Sequence, residues 1–287
     1  MISVCIIAKN EEAVLGDCLA SVKDADEIVV CDTGSTDTTV QIAESYGAKI
    51  CHFEWCDDFA RARNYAKRYC TCDWILSIDA DETLQEGGMD AIRALPLDDH
   101  DAVGIRLRGA YTNNIHVMPR LFRNSPIALW IGAVHEVINL QPSLDSDIEI
   151  TYGFSPAHTH DPERTIRILS KQEPKDARTC YYLGREYYYK KEFDVAIKWF
   201  KACCEQSMFK PERADAWLYL ARCYWKLSLG DHARDACASA LMVNAHFREA
   251  AYFMAEMSWA ENRAPWIAMA EAGTNEGVLF QRGTTKG

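Results

Sequence analysis

The sequence predicts an α/β domain built on a largely parallel sheet, followed by an all-α domain of helical repeats. Three observations carry this. Short apolar runs alternate with amphipathic stretches from Ile2 to Ile78, the pattern of strands joined by right-handed helical crossovers. Three of those runs end abruptly in polar residues, at Lys9, Asp32 and Asp79. From residue 161 onward no strand pattern recurs, and apolar residues repeat at helical spacing in two copies 37 residues apart.

The elements follow in order. Ile2–Ala8 is a strand, and Asn10 stands where a helix N-cap is expected. Val14, Leu15, Cys18, Leu19 and Val22 then mark one helix face. Glu27–Cys31 is the second strand. Asp32-Thr33-Gly34-Ser35-Thr36-Asp37 turns into a short helix with Val40, Ala43 and Tyr46 on its apolar face. Gly47–Phe53 contains the third strand, and Phe59–Cys70 reads as a helix bearing Arg61, Arg63, Lys67 and Arg68. Trp74–Ile78 is apolar on both faces, as in a strand buried in a parallel sheet. Ala91–Leu95 closes a helix before Pro96. Ala102–Leu107, Val117–Phe122 and Val134–Leu140 read as strands of an antiparallel extension. The boundaries expected are 1–160 for the α/β domain, 161–272 for the helical domain and 273–287 for a Gly- and Thr-rich flexible tail.

Composition narrows the classes. The chain has 287 residues, 48% hydrophobic and 25% charged, ordinary for a globular protein with one or two cores. Met1–Ala8 lacks a basic signal-peptide start, and no apolar stretch reaches the ~18 residues of a membrane helix. The twelve cysteines fall mostly within strand and helix patterns, with no CxxC pair. That points to reduced thiols in a cytoplasmic protein rather than to disulfides or a zinc site. The net charge of −11 is uneven. Residues 1–160 carry 12 basic and 25 acidic side chains, whereas residues 161–213 carry 12 and 9. The acidic first part suits a metal site and argues against broad contact with nucleic acid.

In open α/β sheets ligands bind at the carboxyl ends of the strands. Asp79-Ala80-Asp81 closes one such strand and can offer hard oxygen ligands to a divalent ion. The first turn has neither GxGxxG nor GxxxxGKS, so the glycine-rich phosphate cradles of dinucleotide and P-loop folds are absent. Two alternatives are simpler. Asp32 can cap the helix that follows it, and Arg63 can be a solvated helix residue.

Cys5–Glu12, Ile28–Asp37, Ala62-Arg63-Asn64 and Asp79-Ala80-Asp81-Glu82, in that order and spacing, resemble the family-2 glycosyltransferases of GT-A fold. The resemblance covers roughly the first 155 residues and implies a Rossmann-like mixed sheet. It implies that Ala8, Glu11 and Asp32 line a nucleotide pocket, with Arg63 near the base or diphosphate. It places Asp81 as the principal metal ligand and Asp79 at the ribose or the metal. Thr33 departs from the pattern, because many members carry a second Asp there. Pro119–Arg123 and Trp130–Glu136 lie on the acceptor side in the resembling subgroup. An inverting transfer needs a base, and Glu136 is the first candidate, with His135 next. A salt bridge from Glu136 to Arg120 or Arg123 is the competing reading. His158 and His160 are candidates for a third metal ligand.

Cys180, Leu183, Gly184, Tyr187, Ala196, Phe200 and Cys203 match the tetratricopeptide pattern, as do Trp217, Leu220, Ala221, Tyr224, Ala233, Cys237 and Ala240. Ala251, Met254 and Ala255 begin a third copy. So short a stack is expected to lean on the first domain or on a second copy of the chain in a homodimer. The combined layout resembles the S-glycosyltransferases of glycocin biosynthesis. It implies transfer of a sugar from a nucleotide-diphosphate donor, a UDP-sugar, with Mn²⁺ or Mg²⁺. The acceptor would be a peptide, a protein or another macromolecule held by the repeats, and no membrane partner is implied. Two alternatives stand beside it: a phage-type enzyme acting on modified DNA bases, and a repeat interaction protein with an inactive transferase domain.

Overall fold

The computed structural model describes residues 1–111, 115–158, 161, 163–274 and 277. The chain divides into two compact units, Met1–Pro162 and Glu163–Gly287.

The first unit runs β1 (Ile2–Ala8), α1 (Leu15–Ser21), β2 (Glu27–Asp32), α2 (Thr39–Ser45), β3 (Lys49–His52), α3 (Phe59–Lys67), β4 (Trp74–Ser77), β5 (Glu82–Leu84), α4 (Gly88–Arg93), β6 (Ala102–Gly109), β7 (Ile115–Arg123), β8 (Trp130–Ile131), β9 (Val137–Ile138) and β10 (Leu144–Tyr152). The main sheet has the order β3-β2-β1-β4-β7-β6-β10-β5. Its first four strands are parallel, β7 runs antiparallel to both β4 and β6, and β10 is again parallel to β6. This is the mixed α/β sheet of a GT-A-like domain. One core layer joins Val4, Ile6, Leu15, Leu19, Leu76 and Ile105 on the α1 side. The other joins Cys5, Val29, Cys31, Ala66, Ile75 and Phe122 beneath α3. The central strands are thus covered on both faces, which is why they read as continuous apolar runs.

Several boundaries differ from the sequence expectation, for local reasons. Asn10 does not cap α1. It takes a left-handed φ of +58°, and its Oδ1 accepts from the Thr36 amide at 2.8 Å. It therefore ties the first strand end to the loop after β2. Helix α3 stops at Lys67, short of Cys70, and begins with Asp58, whose carboxylate accepts from the Arg61 amide at 2.8 Å. The strand expected over Val134–Leu140 shrinks to Val137–Ile138, because Gly132 and His135 adopt φ of +93° and +54°. Such left-handed residues cannot lie in a strand. Strands β5 and β10 were not expected. The alternation of Ile148, Ile150 and Tyr152 is the signal for β10, with Ile148 and Ile150 buried.

The second unit contains α5 (Arg164–Ser170), α6 (Ala177–Tyr189), α7 (Phe193–Gln206), α8 (Lys210–Lys226), α9 (Gly230–Val243), α10 (Arg248–Met257) and α11 (Ala264–Ala272). Helices α6 with α7, α8 with α9 and α10 with α11 pack as successive hairpins. The repeat explains the small residues. A Cβ on Gly184 would stand 2.7 Å from Phe200 Cε1, so only glycine lets that ring lie against α6. Ala196, Ala221, Ala233, Cys203, Cys237 and Ala240 are fully buried. Trp217, expected in the core, is only half-buried. The fully buried aromatics are Tyr181, Phe200, Tyr219 and Phe247, and Phe200 stacks on Tyr219 with ring centres 5.2 Å apart. Most of the expected tail, together with His160, lies outside the described residues. Among the described residues no helix is long and apolar enough to cross a membrane.

Candidate active site

The parallel register brings the strand ends together. Ala8 pairs with Asp32, and Asp32 with His52. Strand β4 lies on the other side of β1, with Cys5 opposite Ser77, and leads directly to Asp79. Ala8, Asp32 and Asp79-Ala80-Asp81 therefore share one edge of the sheet, its carboxyl edge, where α/β ligands bind.

Asp32 is buried at the end of β2. Its Oδ1 accepts from the Ser35 amide at 3.0 Å and its Oδ2 from the Gly34 amide at 3.3 Å, while His52 Nδ1 lies 3.4 Å from Oδ2. Burial alone would push this carboxyl up, but the hydrogen bonds from Ser35, His52 and Gly34 outweigh it and hold it below the usual range. Asp32 thus shapes its own loop and caps no helix. Thr33, the departure from the family pattern, donates through both its amide and its hydroxyl to the Ala8 carbonyl, at 2.9 and 3.1 Å. The carbonyl of Ala8 is occupied, and Thr33 locks the first two strand ends together. Glu11 is buried and accepts from the Ser155 hydroxyl, while its amide donates to Thr39 Oγ1 at 2.7 Å.

A charged network fills the space behind Asp79. Arg63, on α3, is buried rather than solvated. Its Nε donates to Glu136 Oε1 at 2.7 Å and its Nη2 to Asp79 Oδ1 at 2.6 Å. Its guanidinium lies over the Trp130 ring, 4.9 Å from the centroid. Arg120, on β7, reaches Asp79 Oδ2 at 3.3 Å and Glu82 Oε1 at 2.8 Å. Glu82 closes the ring by accepting from the Asp79 amide at 2.8 Å. Glu136 therefore pairs with Arg63, not with Arg120 or Arg123. Sequence reasoning missed Arg120 and Glu82. Their only signal is that each follows or faces the Asp-x-Asp turn.

Electrostatics divides the two inner carboxylates. Burial would raise Asp79, but the Arg63 and Arg120 charges outweigh it and hold its carboxyl well below the usual range. Burial pushes Glu82 up to about 7, with Asp79's charge adding to it and Arg120 opposing. Two guanidinium groups thus face three carboxylates, and burial sets Glu82 apart from Asp79 by raising its carboxyl where the arginines lower that of Asp79.

Asp81 is half-buried on the far side of the turn. Its carbonyl accepts from the Gly153 amide at 3.1 Å, which brings the end of β10 against the turn. The short helical turn Pro156–His158 follows Ser155, so the backbone of His158 lies three residues beyond the Glu11 contact. His135 is exposed in its left-handed turn, and the Ala133 carbonyl accepts from the Phe59 amide at 2.8 Å. That bond fixes the Gly132–Glu136 loop to the start of α3.

One sheet edge of this GT-A-like domain thus gathers a loop-forming Asp, an Asp-x-Asp turn and a buried carboxylate–arginine network. Residues 3–127 match the family model "Glycosyl transferase family 2", and the chain carries a glycosyl transferase family 2 domain. A TPR repeat-containing protein of Synechococcus elongatus is 33% identical over 235 residues, covering 73% of this chain and 58% of its own length. The SPbeta prophage-derived glycosyltransferase SunS of Bacillus subtilis is 30% identical over 216 residues, covering 68% of this chain and 51% of its own. The chain thus spans about half the length of the curated relatives it matches. Among solved structures, S. aureus TarS 1-349 in complex with UDP-GlcNAc aligns with 100% of this chain and 95% of that chain, at 13% identity and a TM-score of 0.47.

Proposed function

We propose that this protein is a metal-dependent, inverting glycosyltransferase that moves a sugar from a nucleotide-diphosphate donor, a UDP-sugar, to a peptide, protein or other large acceptor. The observation that carries the reading is the convergence of Ala8, Asp32 and Asp79-Ala80-Asp81 on one edge of a family 2 domain. Asp32 and the backbone around Ala8 and Glu11 form the nucleotide side. In this reading a hard divalent cation, Mn²⁺ or Mg²⁺, would be held through Asp81 rather than Asp79, because both Asp79 oxygens accept from arginine, although the described residues alone assemble no cluster of three metal-ligating side chains. His158 and His160 are candidates to complete that set. Bound there, the metal would act as a Lewis acid on the leaving diphosphate.

Glu136 is the base in this reading. One of its oxygens accepts from Arg63, and the other accepts no hydrogen bond among the described residues. That second oxygen is open to a proton from the acceptor. His135, exposed beside it, is the next candidate. The helical unit, 163–272, binds or orients the acceptor in this proposal. The test is a panel of nucleotide sugars with Mn²⁺ or Mg²⁺, reading release of nucleoside diphosphate. Metal-dependent release from a UDP-sugar is the expected result. No release from any donor would return the chain to the class of repeat-based interaction proteins.

A further inference from the structure

Arg63, expected near the base or diphosphate, has two of its guanidinium nitrogens bonded within the site. The Nε and Nη2 donors form one edge of the planar guanidinium, a fork that usually grips a single carboxylate. Here the fork is split. Nε holds Glu136 at 2.7 Å and Nη2 holds Asp79 at 2.6 Å, two residues on different elements. The Arg63 side chain is 9% exposed and that of Glu136 11%, so their bond is shielded from solvent, whereas the Asp79 side chain is 31% exposed. Trp130 covers one face of the guanidinium, and Asn64, next along α3, locks Trp130 by donating to its carbonyl at 2.8 Å and accepting from its amide at 2.9 Å. The fork is therefore fixed in plane as well as in position. Glu136 and Asp79 are like charges that would repel without the cation between them.

We propose that Arg63 is a positioning residue: its fork sets the Glu136 carboxylate relative to the Asp79 turn, so that proton removal from the acceptor is aligned with the donor. This rests on the reading of Glu136 as base. Lysine is a poor substitute, since a single ammonium lacks the fork and the stacking plane.

The test compares wild type, Arg63→Gln, Arg63→Lys, Glu136→Gln and the double variant Arg63→Gln/Glu136→Gln. Turnover is read as UDP released from UDP-glucose and UDP-GlcNAc with Mn²⁺, and affinity by titration with UDP. Glu136→Gln should lose about 10²–10⁴-fold in turnover, the usual worth of a general base. Both Arg63 variants should lose turnover while UDP affinity stays at the wild-type level. The double variant should be no slower than Glu136→Gln alone, because residues acting as a unit are non-additive. If Arg63→Gln melts early, Arg63→Lys keeps the charge and carries the comparison. Two results would overturn the proposal. UDP affinity falling in step with turnover would make Arg63 a donor ligand, acting through its buried Nη1, which has no partner among the described residues. Losses that multiply in the double variant would make it independent of Glu136. A wild type that releases UDP from neither sugar would instead bring down the glycosyltransferase reading first, before any variant is compared.

Discussion

Glu82 gives the network a measurable pH dependence. It is 3% exposed, and burial lifts it from the ordinary glutamate value of 4.5 to about 7. A carboxyl raised on folding favours the folded state while protonated in both states, below its unfolded value. That advantage is lost as pH rises through about 7. A shift from 4.5 to about 7 corresponds to roughly 3 kcal/mol in full, of which about 2–3 kcal/mol falls between pH 5 and pH 8. Asp79 works in the opposite sense, but it is held below the usual range and exerts its effect only in stronger acid. The perturbation is Glu82→Gln. Glutamine keeps the shape, accepts either from Arg120 or from the Asp79 amide, and cannot ionise. The variant should be less stable at pH 5 by about 1–3 kcal/mol, the usual cost of leaving one buried donor unpaired. It should then lose much less stability than wild type between pH 5 and pH 8. Urea unfolding followed by tryptophan fluorescence measures this, since Trp74 and Trp130 are buried in the same unit. Parallel pH slopes for the two proteins would refute the reasoning and place the proton elsewhere.

Further outcomes follow from other parts of the molecule. Asp81→Asn should abolish Mn²⁺-dependent UDP release while leaving the melting temperature near wild type, and near-normal turnover in Mn²⁺ would remove Asp81 from the metal site. Gly184→Ala should destabilise the helical unit by about 1–2 kcal/mol, because overpacking against Phe200 outweighs the helix-propensity gain of alanine; a rise in the chemical-denaturation midpoint would show that the ring can yield. Tyr219→Ala should cost about 3–5 kcal/mol, as a fully buried aromatic does, and Trp217→Ala clearly less. Equal midpoints for those two variants would contradict the burial order.

The order of β1 to β4 with their helices was legible because β1, β2 and β4 are apolar on both faces and each helix keeps one apolar stripe. The three polar strand ends were legible for the same reason, since a carboxylate stands out at the end of an apolar run. The network behind them was not. Arg63 and Glu136 lie 73 positions apart, and Arg63 and Asp79 16 apart. Charge pairing across a sheet leaves no periodic trace, so Arg120 appeared only in an Arg-Leu-Phe-Arg string and as a possible partner of Glu136, not of Asp79 or Glu82. The Val134–Leu140 run misled for a definite reason. Its residues favour a strand, but Gly132 and His135 break the backbone to aim Glu136 at α3. In the helical unit the small positions were legible, because close packing at Gly184 admits nothing larger. The tyrosines that fill the hairpins were not, since Tyr219 falls between repeat positions.

The arginines also account for how so acidic a domain can fold around its own carboxylates. Residues 1–160 carry 25 acidic side chains against 12 basic ones. Placing Asp79, Glu82 and Glu136 together without cations would cost several kcal/mol per buried charge. Two of the twelve basic residues, Arg63 and Arg120, are spent there. The arginines hold the Asp79 carboxyl low, burial raises that of Glu82, and Glu136 is anchored by one oxygen. Both oxygens of Asp79, the first carboxylate of the turn, accept from these two arginines. In the proposed reaction the first carboxylate of the Asp-x-Asp pair belongs to the scaffold, held by two arginines, and the second is the candidate metal ligand.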